Sequence, residues 1–176
     1  MKRSKAILGL VAALWLSGCV TTPQPPPLTG PLPNPDGVAF RAPIFGTQDT
    51  YDLTSDRGHV VLVDVWATWC EPCRDALPLW EDVQKEYAAR GLKVYALSVD
   101  EDPNMVAKFL SETKLKLPVL MDPEGTIVGP VLEVNLMPTT FLIDRKGVIR
   151  FKHEGFAPEF LQKYQSEIEQ LLAENP

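Results

Sequence analysis

The chain has 176 residues, 45% of them hydrophobic and 23% charged, with a formal net charge of −6. That length holds one domain of ordinary size plus flanking segments, and the balance is that of a globular chain rather than a disordered or fibrous one. The acidic excess excludes nucleic acid as a partner held by charge.

Lys2, Arg3 and Lys5 precede an apolar run over residues 6–16, too short for a comfortable membrane span of about 20 residues. Leu16-Ser17-Gly18-Cys19 then sets small residues directly before a cysteine and resembles the lipobox of bacterial lipoproteins. The reading is a signal peptide over residues 1–18, with Cys19 becoming the lipid-modified first residue of the mature chain. An ordinary cleaved signal, with Cys19 incidental, is the alternative. Without residues 1–18 the chain keeps fourteen basic and twenty-three acidic residues, a net charge of −9, so lipid and not a basic patch would hold it to a membrane. Val20 in place of aspartate favours the outer membrane, by resemblance to enteric lipoprotein sorting. Seven of the seventeen prolines fall between Pro23 and Pro35, which marks residues 19–37 as an extended tether.

Globular patterning runs over residues 38–176. Residues 39–45 and 50–53 predict a hairpin around the turn at 46–49. Residues 59–66 form a continuous valine-rich run, suited to a central strand covered on both faces. A helix is predicted over 71–89, with Ala76, Trp80, Val83 and Tyr87 on one face, Pro78 inside it as a kink and Gly91 at its end. Residues 92–99 read as a second strand, and Pro103 opens a second helix with Asp102 as its cap. The acidic run Asp100-Glu101-Asp102 reads as a solvated loop. A short strand at 118–121, a turn at 122–125 and a short helix near 126–132 follow. Strands at 139–144 and 148–153 flank a turn at Arg145-Lys146-Gly147, and a last amphipathic helix spans 158–172. Parallel strands joined by crossover helices, then an antiparallel pair, make a mixed sheet with helices on both faces.

The chemistry concentrates in Trp66-Ala67-Thr68-Trp69-Cys70-Glu71-Pro72-Cys73, where a strand gives way to a helix. With Cys19 acylated, Cys70 and Cys73 are the remaining thiols. A bond between residues this close constrains little chain and adds little stability, so the pair reads as reactive, with a fixed structural disulfide as the bland alternative. A zinc site would have to draw on His59 and His153, whose spacing does not suit it; both read as ordinary strand-end residues. The helix N-terminus favours a thiolate at Cys70, Glu71 opposes it modestly, and Pro72 suits the first helical positions. By strand alternation Asp64 points the same way as Leu62 and Trp66. A buried carboxylate there has a raised pKa and could exchange a proton with Cys73 through water; a carboxylate reaching solvent at the strand end is the alternative.

The motif WATWCEPCR together with the later LMPTTFLID stretch is similar to the thioredoxin superfamily, and within it to the membrane-tethered TlpA/ResA/DsbE-like thiol–disulfide oxidoreductases, over roughly residues 38–172. The resemblance implies an α/β thioredoxin fold: a mixed central β-sheet flanked by helices, with an N-terminal β-hairpin extension and an inserted strand–helix segment. It implies Cys70 as nucleophile, Cys73 as resolving thiol, Asp64 as buried acid–base group, and a cis-proline loop at Met137-Pro138-Thr139 opposite the cysteines. Trp69, Glu71, Pro72, Met137, Pro138 and Thr139 then contact substrate. These relatives often carry a glutamate three residues after the second cysteine; Ala76 stands there, so that duty passes to Asp64 or is lost. The implied activity is reduction of protein disulfides in the bacterial envelope, facing the periplasm or extracytoplasmic space. The chain would be a lipid-anchored monomer without metal or organic cofactor, recharged by a membrane electron donor of the DsbD/CcdA type, with apocytochrome c among the family's clients. A disulfide oxidase or isomerase, a thiol peroxidase and a non-catalytic partner-binding lipoprotein remain open.

Overall fold

The computed structural model describes residues 37–174, so the signal peptide, Cys19 and nearly all of the tether lie outside the described residues. Strands β1 (Arg41–Pro43) and β2 (Thr50–Asp52) pair antiparallel as a hairpin. The order then runs β3 (Val60–Trp66), α1 (Glu71–Tyr87), β4 (Leu92–Ser98), α2 (Pro103–Thr113), β5 (Val119–Met121), β6 (Thr139–Ile143), β7 (Ile149–Glu154) and α3 (Leu161–Ala173). A 3-10 turn at Ala88–Arg90 extends α1 to Gly91, whose φ of 100° no residue with a side chain adopts readily.

The main sheet has the order β5-β4-β3-β6-β7. β3 and β4 pair in parallel, as do β4 and β5, while β6 runs antiparallel to β3 and to β7. β3 is buried along its whole length because both sheet faces are covered, which is why its sequence shows no polar alternation. Both successive crossovers step the same way across the sheet. With right-handed crossovers α1 and α2 therefore share a face, and α3 joins them. Trp66, Cys73, Ala76, Trp80, Val106, Tyr164 and Ile168 accordingly belong to one apolar core. Each large aliphatic side chain buried there contributes about 1.5–3 kcal/mol.

Two expectations change. Helices do not cover both faces: the second face packs against the hairpin and the 122–136 segment, through Phe40, Tyr51, Leu53, Ile127 and Leu132. Nor does a helix form near 126–132. Gly129, Val131 and Glu133 donate N–H bonds four residues back, but Pro130 has no N–H to continue the ladder and Gly129 favours turns, so the segment stays a run of turns. Asp122 holds its start, accepting from the N–H groups of Thr126, Ile127 and Val128. Pro78 is tolerated inside α1 on its exposed side.

Candidate active site

β3 ends at Trp66, and the chain turns over residues 67–70, where the Cys70 N–H donates to the Ala67 carbonyl at 3.1 Å. Cys70 is thereby the N-cap of α1, with extended φ and ψ of −90° and 103°, and Cys73 lies one turn inward. The two are joined by a disulfide with Cα atoms 5.3 Å apart. Pro72 occupies the first turn, where a missing N–H has no partner to lose. Cys73 is fully buried and Cys70 only 7% exposed, less than its place on the helix end suggests.

Cys70 borders a groove of about 590 Å³ walled by Trp69, Pro72, Val134, Leu136 and Met137. Trp69 and Leu136 are more than half exposed at its rim, an unusual position for such large apolar groups. The Met137–Pro138 bond is cis, and the Pro138 carbonyl accepts from the Gly155 N–H at 2.7 Å. Among the described residues nothing hydrogen-bonds the Met137 N–H or carbonyl. Thr139, expected to contact substrate, is buried; its hydroxyl donates to the Leu136 carbonyl and braces the loop from behind. Next in the chain to the lining residue Val134, Glu133 has a φ of 50°, strained for a residue with a side chain. Lys152 Nζ donates to its carbonyl at 2.6 Å.

On β3, Asp64 is 1% exposed and on the face of Leu62 and Trp66, which pack in one core with Cys73. The Thr140 hydroxyl donates to Asp64 Oδ1 at 2.7 Å, and Oδ2 has no partner. Burial pushes the carboxyl up to about 7, against the pull of the Thr140 hydroxyl and the nearby Trp80 indole N–H. That indole closes no hydrogen bond, so Thr140 is the firm partner. Ala76, where the resemblance anticipates a glutamate, is buried, and Asp75 faces solvent.

Two residues that the sequence reading left out belong to this region. Asp100 is not solvated: it is 4% exposed and accepts from the Thr68 N–H (2.9 Å), the Thr68 hydroxyl (2.6 Å) and the Ser98 hydroxyl (2.9 Å), clamping the start of the cysteine loop to the end of β4. Glu101 and Asp102 are exposed, and Asp102 caps α2 by accepting from the Asn104 N–H. Thr140 stands opposite Asp64 in the β3–β6 register. His153 is more than a strand end, with Nε2 2.6 Å from Glu167 Oε2. Among the described residues no group of three His, Cys, Asp or Glu side chains could hold a metal.

A five-stranded mixed sheet, an N-capping cysteine bonded to a second one turn on, and a cis-proline loop beside them define a thioredoxin-like protein with a paired-cysteine site. The Redoxin family model matches residues 39–172, and the chain belongs to that family, as a thioredoxin-superfamily protein of the ResA/DsbE type. It is 39% identical over 106 residues to the thioredoxin-like protein YneN of Bacillus subtilis, covering 58% of this chain and 61% of the relative. It is 35% identical over 102 residues to the thiol-disulfide oxidoreductase ResA of Oceanobacillus iheyensis, covering 58% and 53%. The chain thus spans little more than half the length of these two relatives. A crystal structure from Chlorobium tepidum, named as a thiol:disulfide interchange protein DsbE, superposes with a TM-score of 0.73 at 33% identity, covering 78% of this chain and 96% of that one.

Proposed function

We propose that the protein is a thiol–disulfide oxidoreductase that reduces protein disulfides through Cys70 and Cys73. The observation that carries this reading is the bonded pair at the head of α1, opening onto an apolar groove beside unpaired backbone groups of Met137. A client segment laid along that loop pairs with the Met137 N–H and carbonyl as an added strand, while Trp69 and Leu136 cover its apolar side chains.

Cys70 reacts as the thiolate, stabilised by the orphan N–H groups of the first turn of α1. It attacks one sulfur of the client disulfide; the other leaves with the electron pair and takes a proton from water. Cys73 gives its proton to Asp64, bonds to Cys70 Sγ and expels the client's second sulfur, which is protonated in turn. The client gains two electrons and two protons, and the protein is left with the Cys70–Cys73 bond. Exposed Glu71 opposes the thiolate and so makes the pair more reducing; about 30 mV, or ~1.4 kcal/mol, is enough to alter the poise usefully.

The same reading places the chain in the bacterial envelope as a monomer held by lipid on Cys19, recharged by a membrane dithiol carrier of the DsbD/CcdA type. Thiols destined for haem attachment in apocytochrome c are among its clients. Its test is a trapping experiment. The reduced protein should reduce an insulin disulfide, Cys70→Ser should abolish this, and Cys73→Ala should accumulate mixed disulfides that mass spectrometry identifies. A Cys70 thiol alkylated no faster than free cysteine at neutral pH, or a Cys73→Ala protein that traps nothing, overturns the reading.

A further inference from the structure

Asp64 is a buried carboxylate with one hydrogen bond, and that bond comes from a residue neither in nor beside the cysteine motif. Thr140 is fully buried, in register with Asp64 across the β3–β6 pair, and gives its single hydroxyl proton to Oδ1 at 2.7 Å. Oδ2 is left without a partner. The neighbours offer no substitute. Across β4 the register places Ala96. From α1 comes Trp80, whose indole N–H closes no hydrogen bond, and Cys73 packs in the same core as Leu62 and Trp66, the residues flanking Asp64 on its face of β3. From α3 comes Tyr164, whose phenol is raised first by burial and then by the Asp64 charge, against the pull of the Thr140 hydroxyl beside it, so that Tyr164 faces Thr140 as well as the acid. On β7, His153 stands in register with Thr140 but is engaged by Glu167 of α3 at 2.6 Å. Among the described residues no lysine or arginine reaches Asp64, and Lys93 on β4 pairs with Asp56 instead.

A carboxylate in such surroundings loses its charge unless a donor holds it, because burial penalises the ion far more than the acid. An O–H donor favours the ion, and by occupying one oxygen it leaves the other to receive a proton. We propose that Thr140 is a positioning residue of the redox reaction, its hydroxyl keeping Asp64 ionisable and Oδ2 open so that the carboxylate takes the Cys73 proton during resolution. This rests on the role of Asp64 proposed above. In the step, the proton passes from Cys73 Sγ to Asp64 Oδ2 and the sulfur electron pair forms the bond to Cys70 Sγ. The bond from Cys70 to the client sulfur breaks, and that sulfur leaves as thiolate and is reprotonated.

The test is single-turnover reduction of a disulfide peptide by the reduced protein between pH 5 and 9, read as rate against pH. Thr140→Val removes the donor at nearly constant volume. Losing a hydrogen bond to a charged group should move the apparent pKa of the resolving step up by about one unit and slow the reaction about fivefold at pH 7. Thr140→Ser, which restores the donor, should restore the parent profile. Asp64→Asn should remove the Asp64 inflection and leave the Cys70 ionisation alone to shape the profile. If Thr140→Val superimposes on the parent while Asp64→Asn removes its inflection, the proposal is overturned and the role of Asp64 stands. If neither variant changes the profile, both fall. A serine variant that behaves like the valine variant also overturns the proposal. Should Thr140→Val fail to fold by circular dichroism, Thr140→Ala reads the same shift.

Discussion

Asp64→Asn should stabilise the oxidised protein in alkaline solution and destabilise it in acid, and the size of the reversal follows from burial. The folded state holds the Asp64 proton up to about pH 7, whereas the unfolded chain gives it up near the ordinary value of 3.8. Between those values the folded chain binds more protons than the unfolded one, so its stability falls as pH rises through them and levels off above 7. About three pH units at 1.36 kcal/mol each is on the order of 4 kcal/mol, an upper figure for a site that can relax. Asparagine has no such titration. It keeps an oxygen for the Thr140 hydroxyl but sets an amide N–H₂ where Oδ2 has no partner, which costs about 1–3 kcal/mol at every pH. The difference in unfolding free energy between parent and variant should therefore favour the parent at pH 4 and swing by several kcal/mol toward the variant by pH 8. Urea denaturation of both oxidised proteins across that range measures it. The pairs common to both, such as His153 with Glu167, cancel in the difference. A difference that stays flat from pH 4 to 8 refutes the account of a carboxylate whose charge is resisted by its surroundings.

Asp100→Ala should destabilise the fold by about 2–4 kcal/mol, because it strands the Thr68 N–H in a part-buried loop and frees two hydroxyls. It should also slow Cys70 alkylation, while Asp102→Ala, which removes an exposed helix cap, should cost about 1 kcal/mol and leave alkylation unchanged. Thermal melts and iodoacetamide rates check both. Leu136→Asp sets a charge on the apolar rim of the groove. It should raise KM for disulfide peptides with apolar flanks five- to tenfold, and move stability by no more than about 0.5 kcal/mol at so exposed a site. Peptide kinetics beside a urea titration tests it, and an unchanged KM would mean that clients do not lie along this wall.

What could be read from the sequence was local in the chain. The valine run of β3, the helix face through Ala76, Trp80 and Val83, and two cysteines at a strand-to-helix junction are each set by spacing within a few residues, and spacing is what a sequence displays. The segment at 126–132 departs from the expected helix for a local reason too, since Pro130 supplies no N–H to continue the ladder. Cross-chain placement is a different matter. Asp100 looks like the first of three solvated acids until the fold brings Thr68, thirty-two positions earlier, against it. Thr140 looks like any β-branched strand residue until the antiparallel register of β3 and β6 sets it against an acid seventy-six positions away. Shifting that register by one residue would bring Thr139 or Phe141 opposite Asp64 and turn every β6 side chain to the other face of the sheet, taking Phe141 out of the core it fills. The partner of the buried acid is therefore fixed by strand pairing and not by spacing within the cysteine motif.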